Sequence, residues 1–342
     1  MATMKDISKK ANVSIATVSA VVNQSTYVSP ELTERVNRAI EELNYRPNAI
    51  ARSLKMKSTN TVGVILSDIL NPYYPAIVKG MDDVAIKNNF SVILCNTSND
   101  KSRFLSYLDL MVDKRVDGLI LANISNQEEL QEVEKRNLNF VLVNRRPPGY
   151  NTSYVGVNNH LAIELAVNHL ASLGYKRIAF IGGNSDLSTS KERLQGFVQG
   201  MMQNGLQVTN NLIFEGEYTQ ESGYASVIKM LKQLKELPEA ICAASDLIAF
   251  GIIKALREKG IRVPEDIAVI GNDNNNFSED FLVPLSTVNH PTYEMGKLGM
   301  GLLLQRVNEG ENHFPKQVIL TPSLIIRESC NTFSKKNHQT IS

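Results

Sequence analysis

The chain has little of what marks a secreted, membrane-spanning or metal-dependent protein. Only three of its 342 residues are cysteine, Cys95, Cys242 and Cys330. They are odd in number, far apart and set among apolar neighbours, so they read as buried thiols in a reducing compartment rather than as a disulfide framework or a zinc module. Long apolar runs are also missing. Stretches such as Val141-Leu142-Val143 fall far short of the roughly 20 residues that span a bilayer. The opening Met1-Ala2-Thr3-Met4-Lys5-Asp6 lacks the apolar core of an export signal, and a cytoplasmic protein with no membrane contact is expected. A net charge of +1, with 43% hydrophobic and 21% charged residues, is ordinary globular composition and excludes a disordered chain.

Familiar catalytic signatures are absent as well. There is no G-x-G-x-x-G, no phosphate-binding G-x-x-x-x-G-K and no G-x-S-x-G. The five histidines, His160, His169, His290, His313 and His338, show no metal-ligand spacing. No metal and no cofactor are expected, and the chain is not expected to be an enzyme. Asp246 and Asp273 could form a carboxylate pair for acid–base work. Sugar recognition explains them equally well, so a sugar-binding α/β enzyme stands only as the alternative class. A free-standing sugar receptor would leave the first sixty residues without a role.

What is present begins with an uneven charge. Residues 1–60 hold nine Lys and Arg against five acids, while the remainder is slightly acidic. A small basic module on an acidic body suggests a polyanion-facing end. Its pattern is that of a helix-turn-helix. Thr3-Met4-Lys5-Asp6 has the form of a capping box opening a helix over about Met4 to Ala11. Ser14 caps a second helix from Ile15 to about Val22, and Ser29-Pro30-Glu31 starts a third carrying Leu32, Val36, Ala39, Ile40 and Leu43 at helical spacing. The outer face of the second helix, Ile15, Ala16, Thr17, Ser19, Ala20 and Asn23, is small or polar. Such a face can sink into a major groove about 12 Å wide, with hydroxyls and amides meeting phosphates or base edges and Ile or Ala meeting thymine methyls. Pro47 then opens a short helix whose Ala49, Ile50, Ala51 and Leu54 form one apolar strip. A helix so short is marginal alone. Paired with a twin on DNA it would offer Leu54 as a wedge at a base step and Lys55 as a minor-groove or phosphate contact.

The ordered motifs Lys5-Asp6-Ile7-Ser8 through Val18-Ser19, Val22-Asn23, Val28-Ser29, Leu43-Asn44-Tyr45-Arg46-Pro47-Asn48 and Ala51-Arg52-Ser53-Leu54 resemble those of the lactose/galactose/purine repressor family, over nearly the whole chain. The resemblance implies a bacterial, nucleoid-associated transcription regulator, in most cases a repressor, that binds a pseudo-palindromic double-stranded operator as a homodimer. It implies candidate DNA-binding residues Thr3, Ser14, Ile15, Ala16, Thr17, Ser19, Ala20, Asn23, Tyr27, Ser29, Tyr45, Asn48, Ala51, Leu54 and Lys55. The family commonly carries a large polar residue, often Arg, where Ala20 stands. Ala cannot read guanine bidentately, so more weight on thymine methyls and groove shape is expected here.

The body alternates strands and helices. Strands are expected at Thr61–Leu66, Ser91–Asn96, Gly118–Ala122, Phe140–Asn144, Tyr154–Val157, Arg177–Gly182, Ala240–Ala243, Ile267–Gly271, Ser286–Asn289 and Gln317–Leu320, with amphipathic helices between them. Such a run argues for an α/β core with two parallel sheets, each covered on both faces, and a cleft between them. The expected domains are a headpiece at 1–46, a hinge helix and linker at 47–60, and a periplasmic-binding-protein-like core at 61–333. The core's lobes are roughly 61–160 plus 290–320 and 161–289 plus 321–333, and a tail follows at 334–342. Ligands of such sheets sit at the carboxyl ends of the strands. The polar and aromatic residues there, together with the family resemblance, give candidate effector contacts at Tyr73, Tyr74, Asn144, Arg145, Asn158, Arg193, Tyr218, Asp246 and Asp273. Asn at 144 and 158, where relatives often carry Asp, leaves the cleft less negative and tilts the expected small-molecule effector from a sugar toward a sugar acid or sugar phosphate. A partner protein in place of a small effector is the other possibility the resemblance leaves open.

Overall fold

In a computed structural model of the chain, residues 2–23, 25–45, 58–122, 124 and 126–330 are described. It divides into two compact units, Met1–Thr59 and Asn60–Ser342. The expected hinge helix, with Asn48, Ala51, Leu54 and Lys55, and the expected tail both lie outside the described residues.

The first unit is built from α1 (Met4–Ala11), α2 (Ile15–Asn23) and α3 (Pro30–Glu42). Local side chains start each helix. Thr3 and Asp6 form a complete capping box, with Thr3 N–H donating to Asp6 Oδ2 at 2.9 Å. Ser14 Oγ accepts from Thr17 N at 3.0 Å, and Ser29 Oγ accepts from Leu32 N at 3.4 Å. Asn12 takes up a left-handed conformation, φ 48°, which gives the tight turn between α1 and α2. The core is small: Ile7, Ala11, Val18, Val36 and Ala39 are buried, with Val21, Val22, Ile40, Leu43 and Tyr45 packed around them. At roughly 1.5–3 kcal/mol per fully buried aliphatic side chain, so few residues need help. Arg35 supplies it: its Nη2 donates to Ala11 O at 2.7 Å and Asn12 O at 3.1 Å, clamping the turn onto α3.

The second unit holds two six-stranded sheets. β1 (Thr61–Leu66), α4 (Tyr74–Lys87), β2 (Ser91–Asn96), α5 (Lys101–Asp113), β3 (Gly118–Ala122), α6 (Gln127–Lys135), β4 (Phe140–Val143) and β5 (Tyr154–Val157) make the first lobe. After β5 the chain crosses to the second lobe and forms α7 (Asn159–Ser172), β6 (Ile178–Ile181), α8 (Ser188–Gln203), β7 (Ile213–Phe214), α9 (Gln220–Gln233), β8 (Ala240–Ala243), α10 (Asp246–Glu258), β9 (Ala268–Asp273) and β10 (Ser286–Asn289). It returns through residues 290–291 to α11 (Thr292–Glu309) and β11 (Gln317–Leu320), then crosses a third time to β12 (Ser323–Ile325). The strand orders are β11-β5-β4-β3-β1-β2 and β12-β10-β9-β8-β6-β7. Every pairing is parallel except β10 with β12.

Parallel strands covered on both faces read as continuous apolar runs, and β3, β4, β6 and β8 are buried at every position. Helices seat closely on one another. A Cβ at Gly80 of α4 would lie 2.1 Å from Tyr293 O, and one at Gly296 of α11 would lie 1.9 Å from Ile77 O, so these helices meet backbone on backbone. Two strands were not foreseen in the sequence, β7 and β12. With two and three residues, neither is long enough to show a period. No described helix is long and apolar enough to cross a membrane, and all three cysteines are buried and free.

Candidate effector cleft and DNA-facing helix

The α2 face is as the sequence suggests in chemistry. Ser14, Ile15, Ala16 and Asn23 are exposed, Ile15 at 49%. Thr17, Ser19 and Ala20 are half-buried. Asn23 Nδ2 folds back to Ser19 O at 2.9 Å and Ser19 Oγ at 3.1 Å. Tyr27 stands 89% exposed on the connection to α3. Thr3 and Ser29 spend their hydroxyls on helix caps, and half of Tyr45 belongs to the core. All three thus have structural duties before any contact outside the unit.

In the second unit the carboxyl ends of the strands converge on one polar cluster. Arg193, on α8, is its centre and is only 5% exposed. Its Nη1 donates to Ala244 O at 2.6 Å and its Nε to Asn159 Oδ1 at 2.9 Å. Its Nη2 stands 3.7 Å from Asp273 Oδ1, an ion pair without a close hydrogen bond. Burial opposes the Arg193 charge, but the surrounding Tyr218 and Asp273 hold the guanidinium above its ordinary value. Asp273 ends β9, and burial pushes its carboxyl well above the usual carboxylate range, with Arg193 pulling the other way. Its backbone sits at φ 131°, a strained region for a side-chain-bearing residue and one that clusters at ligand sites.

Tyr218 forms a wall. Its ring lies with the Arg193 guanidinium 5.3 Å and the Arg145 guanidinium 5.5 Å from its centroid, and its hydroxyl meets Ser190 Oγ at 2.9 Å. A Cβ on Gly183 would come within 2.1 Å of the ring, so the glycine lets the ring lie against the chain. Arg145 Nε is buried with no hydrogen-bond partner, as is Thr189 Oγ1 one residue before Ser190. Leaving such groups unpaired costs about 1–3 kcal/mol each, which a polar ligand would recover.

The first lobe contributes Tyr73 and Asn144. Tyr73 OH lies 3.3 Å from Asn144 Oδ1 and 3.2 Å from His290 Nδ1. His290 Nε2 meets Asn272 Oδ1 at 3.1 Å, and Asn272 Nδ2 donates to Ala244 O at 3.3 Å. The network therefore runs from Asn144 to the carbonyl that Arg193 also holds.

The expected contacts at Tyr73, Asn144, Arg145, Arg193, Tyr218 and Asp273 are brought together. Three others are not. Asp246 is fully buried, and its carboxylate is taken by Thr287 Oγ1 at 2.5 Å, Ser278 Oγ at 2.7 Å and Asn275 N at 2.7 Å. It fastens β10 and the 275–278 loop beneath the cleft. Asn158 is exposed and caps α7 through Leu161 N at 3.0 Å; its neighbour Asn159 turns inward to Arg193. Tyr74 is buried edge-on to Tyr73, with centroids 5.7 Å apart, and borders a separate apolar depression with Ile69, Val78 and Leu94. The residues absent from the candidate contacts are Asn159 and Asn272, which do follow expected strand ends, and Thr189, Ser190 and His290. Thr189 and Ser190 lie in the first turn of α8, which begins at Ser188.

A helix-turn-helix joined to a two-lobed α/β body has matches in known proteins. The model for "Bacterial regulatory proteins, lacI family" matches residues 3–48, and that for "Periplasmic binding protein-like domain" matches residues 167–330. The chain is 35% identical over 331 residues to the HTH-type transcriptional repressor PurR of Aliivibrio salmonicida (strain LFI1238), covering 96% of this chain and 99% of that one. This chain belongs to the lacI family of bacterial regulatory proteins. As a lacI-family protein it is a DNA-binding transcriptional repressor and not an enzyme. Among solved structures it resembles the Lac repressor dimer bound to operator and the anti-inducer ONPF, at 27% identity and a TM-score of 0.86 over 96% of this chain and 99% of that one. It also resembles the transcriptional regulator CelR in complex with cellobiose, at 31% identity and a TM-score of 0.74 over 96% of this chain and 100% of that one.

Proposed function

We propose that this repressor binds a pseudo-palindromic operator as a homodimer, and that a polyhydroxylated metabolite bearing a carboxylate or phosphate, a sugar acid or sugar phosphate, occupies the cleft and retunes that binding. The observation that carries the effector class is the charge balance around Tyr218. Two guanidinium groups flank one ring, and the carboxylate nearest them, Asp273, is held toward its neutral form by burial. An anionic group would pair with Arg145, whose Nε has no partner, in the charge-assisted geometry that guanidinium favours. Hydroxyls suit the amide and hydroxyl groups of Asn144, Tyr73 and Ser190, and the ring of Tyr218 suits the apolar face of a sugar. The cellobiose complex of CelR supports a carbohydrate ligand for this cleft.

Dimerisation is supported by exposed apolar side chains on the second unit. Leu70 is 86% exposed, Ile69 47% and Leu94, on the edge strand β2, 38%. In the second lobe Phe277 and Leu282 are also exposed. Ile69 and Leu94 line one apolar depression, and a contiguous exposed apolar patch is where subunits associate. The DNA contacts proposed for α2 place Ile15, Ala16 and Ala20 against base edges and Ser14, Thr17 and Asn23 against phosphates.

The test is a thermal-shift and calorimetric screen of full-length protein against neutral sugars, sugar acids, sugar phosphates and nucleobases, followed by mobility shift with selected operator duplexes. Sugar acids or phosphates should raise the melting temperature and change operator affinity, and Arg145→Ala should weaken both effects. Binding confined to neutral sugars or nucleobases would refute the anionic reading. No ligand at all, with operator binding intact, would favour control by a partner protein.

A further inference from the structure

The chain passes between its lobes three times, and the second passage carries a buried histidine. His290 follows β10 of the second lobe and precedes α11 of the first. Its side chain is fully enclosed, and its two ring nitrogens bond in opposite directions, to Tyr73 of the first lobe and Asn272 of the second. Its protonation can be read from the neighbours. Asn272 Nδ2 donates to Ala244 O, which turns Asn272 Oδ1 toward the imidazole, so Nε2 must carry the hydrogen. Burial drives the ring well toward the neutral form, leaving Nδ1 as a bare acceptor. The hydroxyl of Tyr73 is the donor within bonding distance of it, and the Asp273 carboxyl stands farther off at 3.8 Å. The single Tyr73 proton also faces Asn144 Oδ1, at 3.3 Å against 3.2 Å for the imidazole.

We propose that His290 is a positioning residue that couples cleft occupancy to lobe geometry, through a choice made by the Tyr73 proton. With the proton on Asn144, Tyr73 is bonded within its own lobe. A ligand hydroxyl donating to Asn144 Oδ1 competes for that acceptor and shifts the Tyr73 proton toward His290 Nδ1. The line Tyr73–His290–Asn272 then ties the two lobes across the passage and ends on Ala244 O, the carbonyl that also holds Arg193. The ligand need not touch His290. Any differential contact at Asn144 is converted into a preference for one lobe arrangement, which is what a shift of conformational population requires. This inference rests on the effector-cleft reading for its ligand step, but the tie itself is testable without any ligand.

The experiment splits the imidazole into halves. An asparagine side chain places its polar atoms near Nδ1, and a glutamine places them near Nε2. His290→Asn should keep the Tyr73 bond alone and His290→Gln the Asn272 bond alone. Full-length protein carrying dyes at Lys101→Cys in the first lobe and Lys235→Cys in the second, mixed with excess unlabelled chains, reports lobe separation by single-molecule energy transfer. Wild type should give one narrow peak without added metabolite. Both half-variants, and Tyr73→Phe, should lose it to a broadened or shifted distribution, while their melting temperatures stay above that of His290→Ala. Imidazole 15N shifts should show a neutral Nε2–H ring. Half-variants with the wild-type distribution, or an Nδ1–H ring, would overturn the proposal. Broadened half-variants in a protein that binds no metabolite of the screen would leave the tie standing and bring down the cleft reading instead.

Discussion

The two lobes share a strand order but not a chemistry. The second lobe holds the buried ionisable groups: Arg193 and Asp246 are hydrogen-bonded to backbone or hydroxyls of that lobe, and Asp273 stands beside Arg193. The first lobe faces the cleft with Tyr73 and Asn144, and with Arg145, whose Nε is unpaired. A charge taken out of water must be fixed by good partners or it destabilises the fold. The second lobe meets that demand before any ligand arrives. The first lobe leaves its demand open, so under the proposed function it is the lobe with something to gain by closing on an anion.

That division can be broken most severely at Asp246. Asp246→Ala removes the acceptor of three buried hydrogen bonds and should destabilise the second lobe by about 3–5 kcal/mol, read as a fall in melting temperature with no specific effect on ligand affinity in the folded fraction. Next comes Arg193→Ala, expected to weaken effector binding by about 100-fold or more, the loss of a buried charge-assisted contact, while operator binding without ligand persists in a mobility shift. Arg145→Ala should weaken anionic ligands by about 10-fold and leave the melting temperature nearly unchanged, because its buried Nε makes no hydrogen bond that the fold would lose. If Arg145→Ala proved as destabilising as Asp246→Ala, the proposed asymmetry between lobes would be wrong.

A pH comparison is finer still. The folded state keeps His290 neutral well below its ordinary value of 6.5, so the unfolded chain binds more protons and wild type loses stability as pH falls below about 6.5. His290→Asn lacks that proton site, and its stability gap to wild type should narrow toward acid pH in chemical denaturation. Asp273 works in the opposite sense. Its raised carboxyl binds a proton in the folded state first, which adds stability as pH falls through its folded value toward 3.8. The smallest effect is expected at Asn158→Ala, about 1 kcal/mol from the α7 cap with ligand affinity intact.

How much of this was legible in the sequence follows from the distance over which each contact acts. The caps of the first unit join residues three apart, such as Thr3 with Asp6 and Ser14 with Thr17, and helix starts could be read directly. The clamp from Arg35 to Ala11, 24 residues away, has no local signature. Arg193 was reached through its place after a strand end and through the family resemblance, but its partners Asn159 and Ala244 lie 34 and 51 positions away. Tyr73 and His290 are separated by 217. Asp246 looked like a ligand group because it follows a strand; only the fold reveals Ser278 and Thr287 waiting beneath it. Strand ends mattered in the same way, since β9 runs on to Asp273 where the apolar pattern had already stopped at Gly271.

The backbone-on-backbone seating of α4 against α11 has a consequence for how such a repressor changes over evolutionary time. With Gly80 and Gly296 closing the space between those helices, the scaffold tolerates little innovation there. Cleft residues such as Asn144, Arg145 and Tyr218 lie on loops outside that helix pair. A lineage could therefore acquire a new signal molecule by editing a few loop positions, and inherit its switch unchanged.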